Sequence, residues 1–116
     1  MPYDEELAGR IRALVTSEPE LSEKRMFGGL AFLIGGNMAV AASGQGGIMV
    51  RVDPDQVDEL IADGAASIVE MRGRPMRGWL RVEPERLATT PELARWVRLG
   101  VAYAGSLEPK WSGRSG

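Results

Sequence analysis

Apolar residues recur along the chain in two rhythms, one helical and one extended. Within residues 4–15, Leu7, Ile11, Leu14 and Val15 share one side of a 3.6-residue repeat, with Arg10 and Arg12 opposite and acidic residues in the first turn. That spacing predicts an amphipathic helix. Residues 16–23, with Pro19, read as a loop. Residues 26–34 form an apolar run too short to cross a bilayer and long enough for a buried strand. Phe27, Ala31 and Leu33 would point one way and Leu30, Phe32 and Ile34 the other, which predicts a central strand or one whose second face meets a partner. Gly28-Gly29 interrupts the run. It reads as a bulge that lets a helix pack down, or as a place where another surface comes close. Gly35-Gly36-Asn37 then tolerates positive φ, and a second apolar run begins at Met38, completing a hairpin.

The rhythm stays extended after a glycine-rich turn at residues 43–47. Ile48, Val50 and Val52 fall on one face of a third strand. That loop reads as a flexible hairpin connection rather than a phosphate loop, because it leads into a strand rather than a helix and no Gly-Lys-Ser/Thr follows. Asp53-Pro54-Asp55-Gln56 predicts a helix start, with Asp53 as cap and Gln56 placed to complete a capping box. Val57, Leu60 and Ile61 make its buried face, Asp55, Asp58, Glu59 and Asp63 its wet one, and Gly64 its stop. Those acids lack the loop spacing of a calcium site. Residues 67–71 and 78–82 predict a second hairpin turning at Gly73-Arg74-Pro75. Alternation places Arg77, Trp79 and Arg81 on one face, and Met76, Gly78, Leu80 and Val82 on the other. Thr90, followed by Pro91, predicts the cap of a last helix that buries Leu93, Trp96, Val97, Val101 and Ala104 and leaves Leu99 and Tyr103 off the stripe. From residue 107 onward the chain is polar apart from Trp111 and reads as a mobile tail, leaving residues 1–106 as one domain.

Composition narrows the chemistry. The chain of 116 residues has no cysteine and no histidine, which removes disulfides, thiolate nucleophiles, imidazole bases and most transition-metal sites. No catalytic residue, cofactor-binding residue or metal ligand stands out, and no cofactor is expected. Asp4, Glu5 and Glu6 stand where a signal peptide would need positive charge, and no apolar stretch spans a bilayer, so a cytoplasmic protein without a membrane partner is expected. Charge is uneven: residues 1–70 carry a formal −7 and residues 71–116 a formal +5. The densest basic stretch holds Arg72, Arg74, Arg77 and Arg81 with Trp79 among them. It is the candidate interaction surface, able to meet phosphates and stack on bases, or to pair with the acidic first half.

Arg25-Met26-Phe27-Gly28-Gly29, the apolar run, Gly35-Gly36-Asn37-Met38 and Ile48-Met49-Val50-Arg51-Val52 together resemble the N-terminal domain of the TfoX/Sxy competence-regulator family. Met71-Arg72-Gly73-Arg74-Pro75-Met76 and Gly78-Trp79-Leu80 extend the resemblance, which covers residues 4–104. Arg25, Met26, Phe27, Gly28 and Gly29 are the candidate structural motif. The order α-β-β-β-α-β-β-α predicts an α+β two-layer domain with helices over one face of a curved antiparallel sheet. The resemblance implies the same, similar to the secretion-chaperone fold, with a homodimer and no catalytic residues. Family members that regulate competence carry a second, C-terminal domain. The expected function is a non-catalytic regulatory module acting through a protein partner. The alternatives are a nucleic-acid-binding protein using the Arg/Trp hairpin, or a small-molecule-binding protein or cofactor-dependent enzyme.

Overall fold

The computed structural model describes residues 3–26 and 28–109. Helix α1 (Glu5–Val15) leads into strands β1 (Leu21–Met26), β2 (Gly29–Ile34), β3 (Asn37–Ala42) and β4 (Ile48–Arg51). A 3₁₀ turn and helix α2 (Val57–Ile61) precede β5 (Ser67–Met71) and β6 (Arg74–Val82), and helix α3 (Thr90–Ser106) follows. The strands form one sheet in the order β1-β2-β3-β4-β6-β5, antiparallel throughout. The helices cover one face, which is the expected α+β two-layer architecture.

The sheet has one strand more than the apolar pattern predicts. Residues 16–23 read as a loop, yet β1 starts at Leu21 and pairs with β2 from Leu21–Ile34 to Met26–Gly29. Most of β1 is polar, and Glu23, Lys24 and Arg25 are exposed, so its ladder to β2 makes it a strand where apolar periodicity cannot. The run 26–34 is accordingly split between two strands. Met26 pairs with Gly29 and Gly28 adopts φ +74°, so the chain reverses between the two strands; Phe27 lies outside the described residues. Gly28-Gly29 is therefore a turn and a strand start, not a bulge beneath a helix. A side chain at Gly29 would run into the Ala42 carbonyl of β3, so the surface that comes close is the neighbouring strand.

Smaller shifts have local causes. The second hairpin turns at Arg72-Gly73 (φ +53° and +78°) rather than at Gly73-Arg74-Pro75. Two consecutive left-handed residues match the twist of a tight hairpin, and Pro75 lies in β6 opposite Glu70. The cap of α3 is Thr89, not Thr90. Its hydroxyl accepts from the Glu92 N–H at 3.3 Å, and the Glu92 carboxylate accepts from the Thr89 N–H at 3.1 Å. The Asp53–Gln56 capping box does not form. Asp53 accepts instead from the Asp55 N–H at 2.9 Å, inside the 3₁₀ turn.

Between the layers, Phe32, Val40, Ile48 and Leu80 of the sheet meet Ile11 of α1 and Trp96 of α3, all of them buried. Burial of side chains this size contributes about 1.5–3 kcal/mol each. α3 lies across β3 and β4, and Gly100 sets how closely. A Cβ there would meet the Ala39 carbonyl and stand 2.9 Å from Val50 Cγ2. The helix is rotated so that Gly100 faces the sheet, leaving Val101, expected in the core, half-exposed beside α1. β1 is held to α1 by Arg12, which donates to both Glu23 carboxylate oxygens at 2.7 and 3.0 Å. That hydrogen bond holds the Glu23 carboxyl below the usual range for glutamate.

Gly100→Ala is expected to lower Tm by several degrees. The overpacking cost of about 1–3 kcal/mol outweighs the roughly 1 kcal/mol that alanine gains in a helix. Gly105→Ala, on the same helix with open space at its Cβ, is expected to leave Tm unchanged or raise it. Paired melting curves check both. Glu23→Gln is expected to cost a little stability at neutral pH. Because the folded carboxyl titrates below the unfolded one, the difference from wild type should shrink as pH falls below the ordinary glutamate pKa of about 4.3. It should vanish once Glu23 is protonated in the folded protein as well. Denaturant titrations across pH 2.5–7 measure it.

Candidate interaction face

β2 and β3 are central strands with apolar side chains on both sides, so covering one face with helices leaves a second apolar surface. Ala31, Leu33, Met38 and Ala41 form a separate buried cluster on that side, with Met26, Met49 and Trp79 packed against it. No helix residue joins this cluster among the described residues. β1 and β5 are opposite edges of the sheet, yet Met26 of β1 lines the same cleft as Val69, Glu70 and Met71 of β5. The sheet therefore curls with its helix-free face inward. The cleft measures about 170 Å³, and a smaller apolar one of about 70 Å³ lies beside it between Met49, Val69, Met71, Met76 and Trp79.

The side chains here have a common character. Of six methionines in the chain, Met26, Met38, Met49, Met71 and Met76 all belong to this face; Met1 lies outside the described residues. Methionine is unbranched and polarizable, so a surface built from it can repack around differently shaped apolar groups. Sequence reasoning placed Met26 in a structural motif and Met76 on a core-facing side, and joined none of the five to an interaction surface. Their signal was parity: Met49 sits between Ile48 and Val50, which face the helices, and so points the other way.

The five residues singled out from the basic stretch do not share one surface. Arg72 and Arg74 are exposed at the β5–β6 turn and make no ion pair among the described residues. Arg77 reaches α2 on the helix side, 3.3 Å from Asp58. Trp79 is half-buried on the helix-free face. Arg81 is half-buried there too, donating to Glu83 at 3.0 Å, to Ser43 Oγ at 3.2 Å and to the Gln45 carbonyl at 3.2 Å. Strict alternation fails because the β5–β6 register jumps between Ile68–Leu80 and Val69–Met76. Gly78, at φ +95°, absorbs the irregularity and accepts from the Val52 N–H at 2.8 Å. Before Gly78 it is Met76 that lines the cleft and Arg77 that meets α2; after it, Trp79 faces the cleft and Leu80 the core.

A further cation sits at one end of this face. The Arg51 guanidinium lies 5.0 Å from the Trp79 ring centroid and 5.5 Å from that of Tyr103, so it stacks with both rings. Nearby, the chain leaving α3 is tied to the sheet: buried Asn37 donates from Nδ2 to the Glu108 carbonyl at 3.1 Å, and Pro109 rests against Gly35. The remainder of the expected tail, residues 110–116 with Trp111, lies outside the described residues. Among the described residues no group of carboxylates is placed to hold a metal ion.

Comparison with known proteins adds one match, a family model described as the TfoX N-terminal domain, over residues 13–104. The chain belongs to the TfoX N-terminal domain family. No curated protein and no solved structure matches it. The match spans every strand of this TfoX N-terminal domain and most of α3, so both walls of the cleft and the Arg51–Trp79–Tyr103 stack fall inside it. No helix among the described residues is long and apolar enough to cross a membrane.

A double-mutant cycle with Arg51→Ala and Trp79→Ala is expected to return a coupling of about 0.5–1 kcal/mol in chemical denaturation. A coupling of zero would mean that the ring does not hold the guanidinium.

Proposed function

We infer that this domain is a non-catalytic interaction module that engages a protein partner through the helix-free face of its sheet, in a regulatory role. One observation carries the reading: a methionine-rich, inward-curving apolar surface lies on the side that no described helix covers. Buried cores favour branched, well-defined side chains, whereas methionine suits a surface that must adapt to another molecule. With no cysteine or histidine in the chain, the face offers apolar contact and arginine hydrogen bonds rather than acid–base or thiol chemistry. Nucleic acid is the less favoured partner. Arg51 already stacks on Trp79, Arg77 and Arg81 are engaged with Asp58 and Glu83, and Arg72 and Arg74 are left as two isolated charges at a hairpin tip.

A photo-crosslinking side chain placed at Met49, with a control at exposed Ala62 beyond α2, tests this in cells. Discrete, nuclease-resistant protein adducts from position 49 and none from position 62 are expected. Equal yields from both positions, or adducts that disappear with nuclease, would remove the face from consideration.

A further inference from the structure

We propose that the free edge of β5 is a strand-addition site: a partner segment in extended conformation, apolar at alternate positions and acidic at one end, pairs with it and continues the sheet over the cleft. This rests on the reading of the helix-free face as an interaction surface and specifies what that surface takes and how.

Three features of the edge support it. The first is its contrast with the other edge. β1 ends the sheet with exposed Glu23, Lys24 and Arg25, charges of the kind that discourage pairing with another chain. β5 instead presents Ser67, Ile68, Val69, Glu70 and Met71, of which only Ser67 and Glu70 are fully exposed. It carries no proline, lysine or arginine to block addition, and its backbone pairs with β6 on one side alone.

The second is continuity. Val69 and Met71 lie on the edge strand and also line the cleft with Met49, Met76 and Trp79. An added strand projects every other side chain to the same face. A peptide paired with β5 would therefore set alternate side chains beside Val69 and Met71, over the adaptable methionines. Backbone hydrogen bonds supply affinity in this mode, and the cleft supplies preference for apolar side chains.

The third is charge. At the end of β5 the turn holds Arg72 and Arg74, both exposed and without an ion pair among the described residues. Glu70, also exposed, is next to last in the strand and stands close to this turn, and Asp63 precedes the strand at its other end, accepting from the Ala65 N–H at 3.0 Å. The edge is thus net basic at the turn, where two arginines outweigh Glu70, and acidic before its start, where Asp63 stands. An incoming segment gains from carboxylates over Arg72 and Arg74 and loses from carboxylates near Asp63, so its acidic end belongs at the turn.

The test is a nuclear magnetic resonance titration of the full chain, labelled at backbone nitrogen and methionine methyls. The probe is a synthetic ten-residue peptide of alternating valine and threonine with two aspartates at one end, made in both chain directions. Two N-methylated versions, blocked at alternate amides in opposite phase, accompany it. The expected result is a shift of the Met49, Met71 and Met76 methyls, slowed hydrogen exchange in residues 67–71, and loss of binding for one N-methylated phase alone. Arg72→Asn with Arg74→Glu, both at exposed positions, is expected to weaken the aspartate probe about tenfold and favour a lysine-ended one. Methyl shifts without protection of β5, with both N-methylated probes binding alike, would overturn strand addition while leaving the face as an interaction surface. A probe that moves no residue of the face also overturns it, and the crosslinks from Met49 then decide separately whether the face is used. If the protein alone is dimeric with residues 67–71 already protected, the edge belongs to a second copy and the proposal is lost.

Discussion

The fold depends on the contact between α3 and the centre of the sheet. A helix can lie close to a sheet only where no side chain holds the two apart, and Gly100 provides that place against Ala39 and Val50. Once α3 is seated, Trp96 fills the space between the layers, and α1 packs beside α3 over β3. The same seating carries the chain after α3 toward the β2–β3 turn, where Asn37 fastens it through the Glu108 carbonyl. A single close approach therefore places the helical layer and the path of residues 107–109 together.

That arrangement leaves the two faces of the sheet unequal. β2 and β3 are apolar on both sides, but the described helices cover only one. On the uncovered side the central positions are small or inward-lying, as with Ala31 and Ala41, while the rim is methionine and tryptophan. Curvature brings the rim residues of β1 and β5 around a common cleft, so part of this apolar surface is shielded without a second layer. A flat sheet would leave the same residues open to water and to indiscriminate association. Curling reduces that exposure while leaving the cleft open.

Arginine has three different uses here, and environment rather than abundance separates them. Arg81 fastens the β3–β4 loop to β6 through Ser43, Gln45 and Glu83. Arg51 is a stacking cation between two rings. Arg72 and Arg74 stand in solvent at a tight turn, where charge is available to a partner. A count of basic residues along the sequence puts Arg72, Arg74 and Arg81 in one patch and leaves Arg51 out of it, and the tertiary structure regroups them.

The helices, the family and most of the strands with buried side chains are legible in the sequence, because apolar spacing and glycine-proline punctuation act over a few residues. Leu7 and Ile11 announced α1, Ile48 and Val50 announced β4, and the motif from Arg25 to Gly29 combined with Gly73-Arg74-Pro75-Met76 marked the family. The sequence could not show β1, whose polar residues are held as a strand by hydrogen bonds to β2 and carry no apolar period. Nor could it assign the faces of β6, because alternation holds only while register does, and the break at Gly78 is decided by the pairing with β5 and by Val52. The candidate interaction face was hidden for the same reason. Met26, Met49 and Met71 are far apart in the chain and ordinary one by one. Strand order and curvature alone bring them into one cleft, and both are set by contacts between segments distant in sequence.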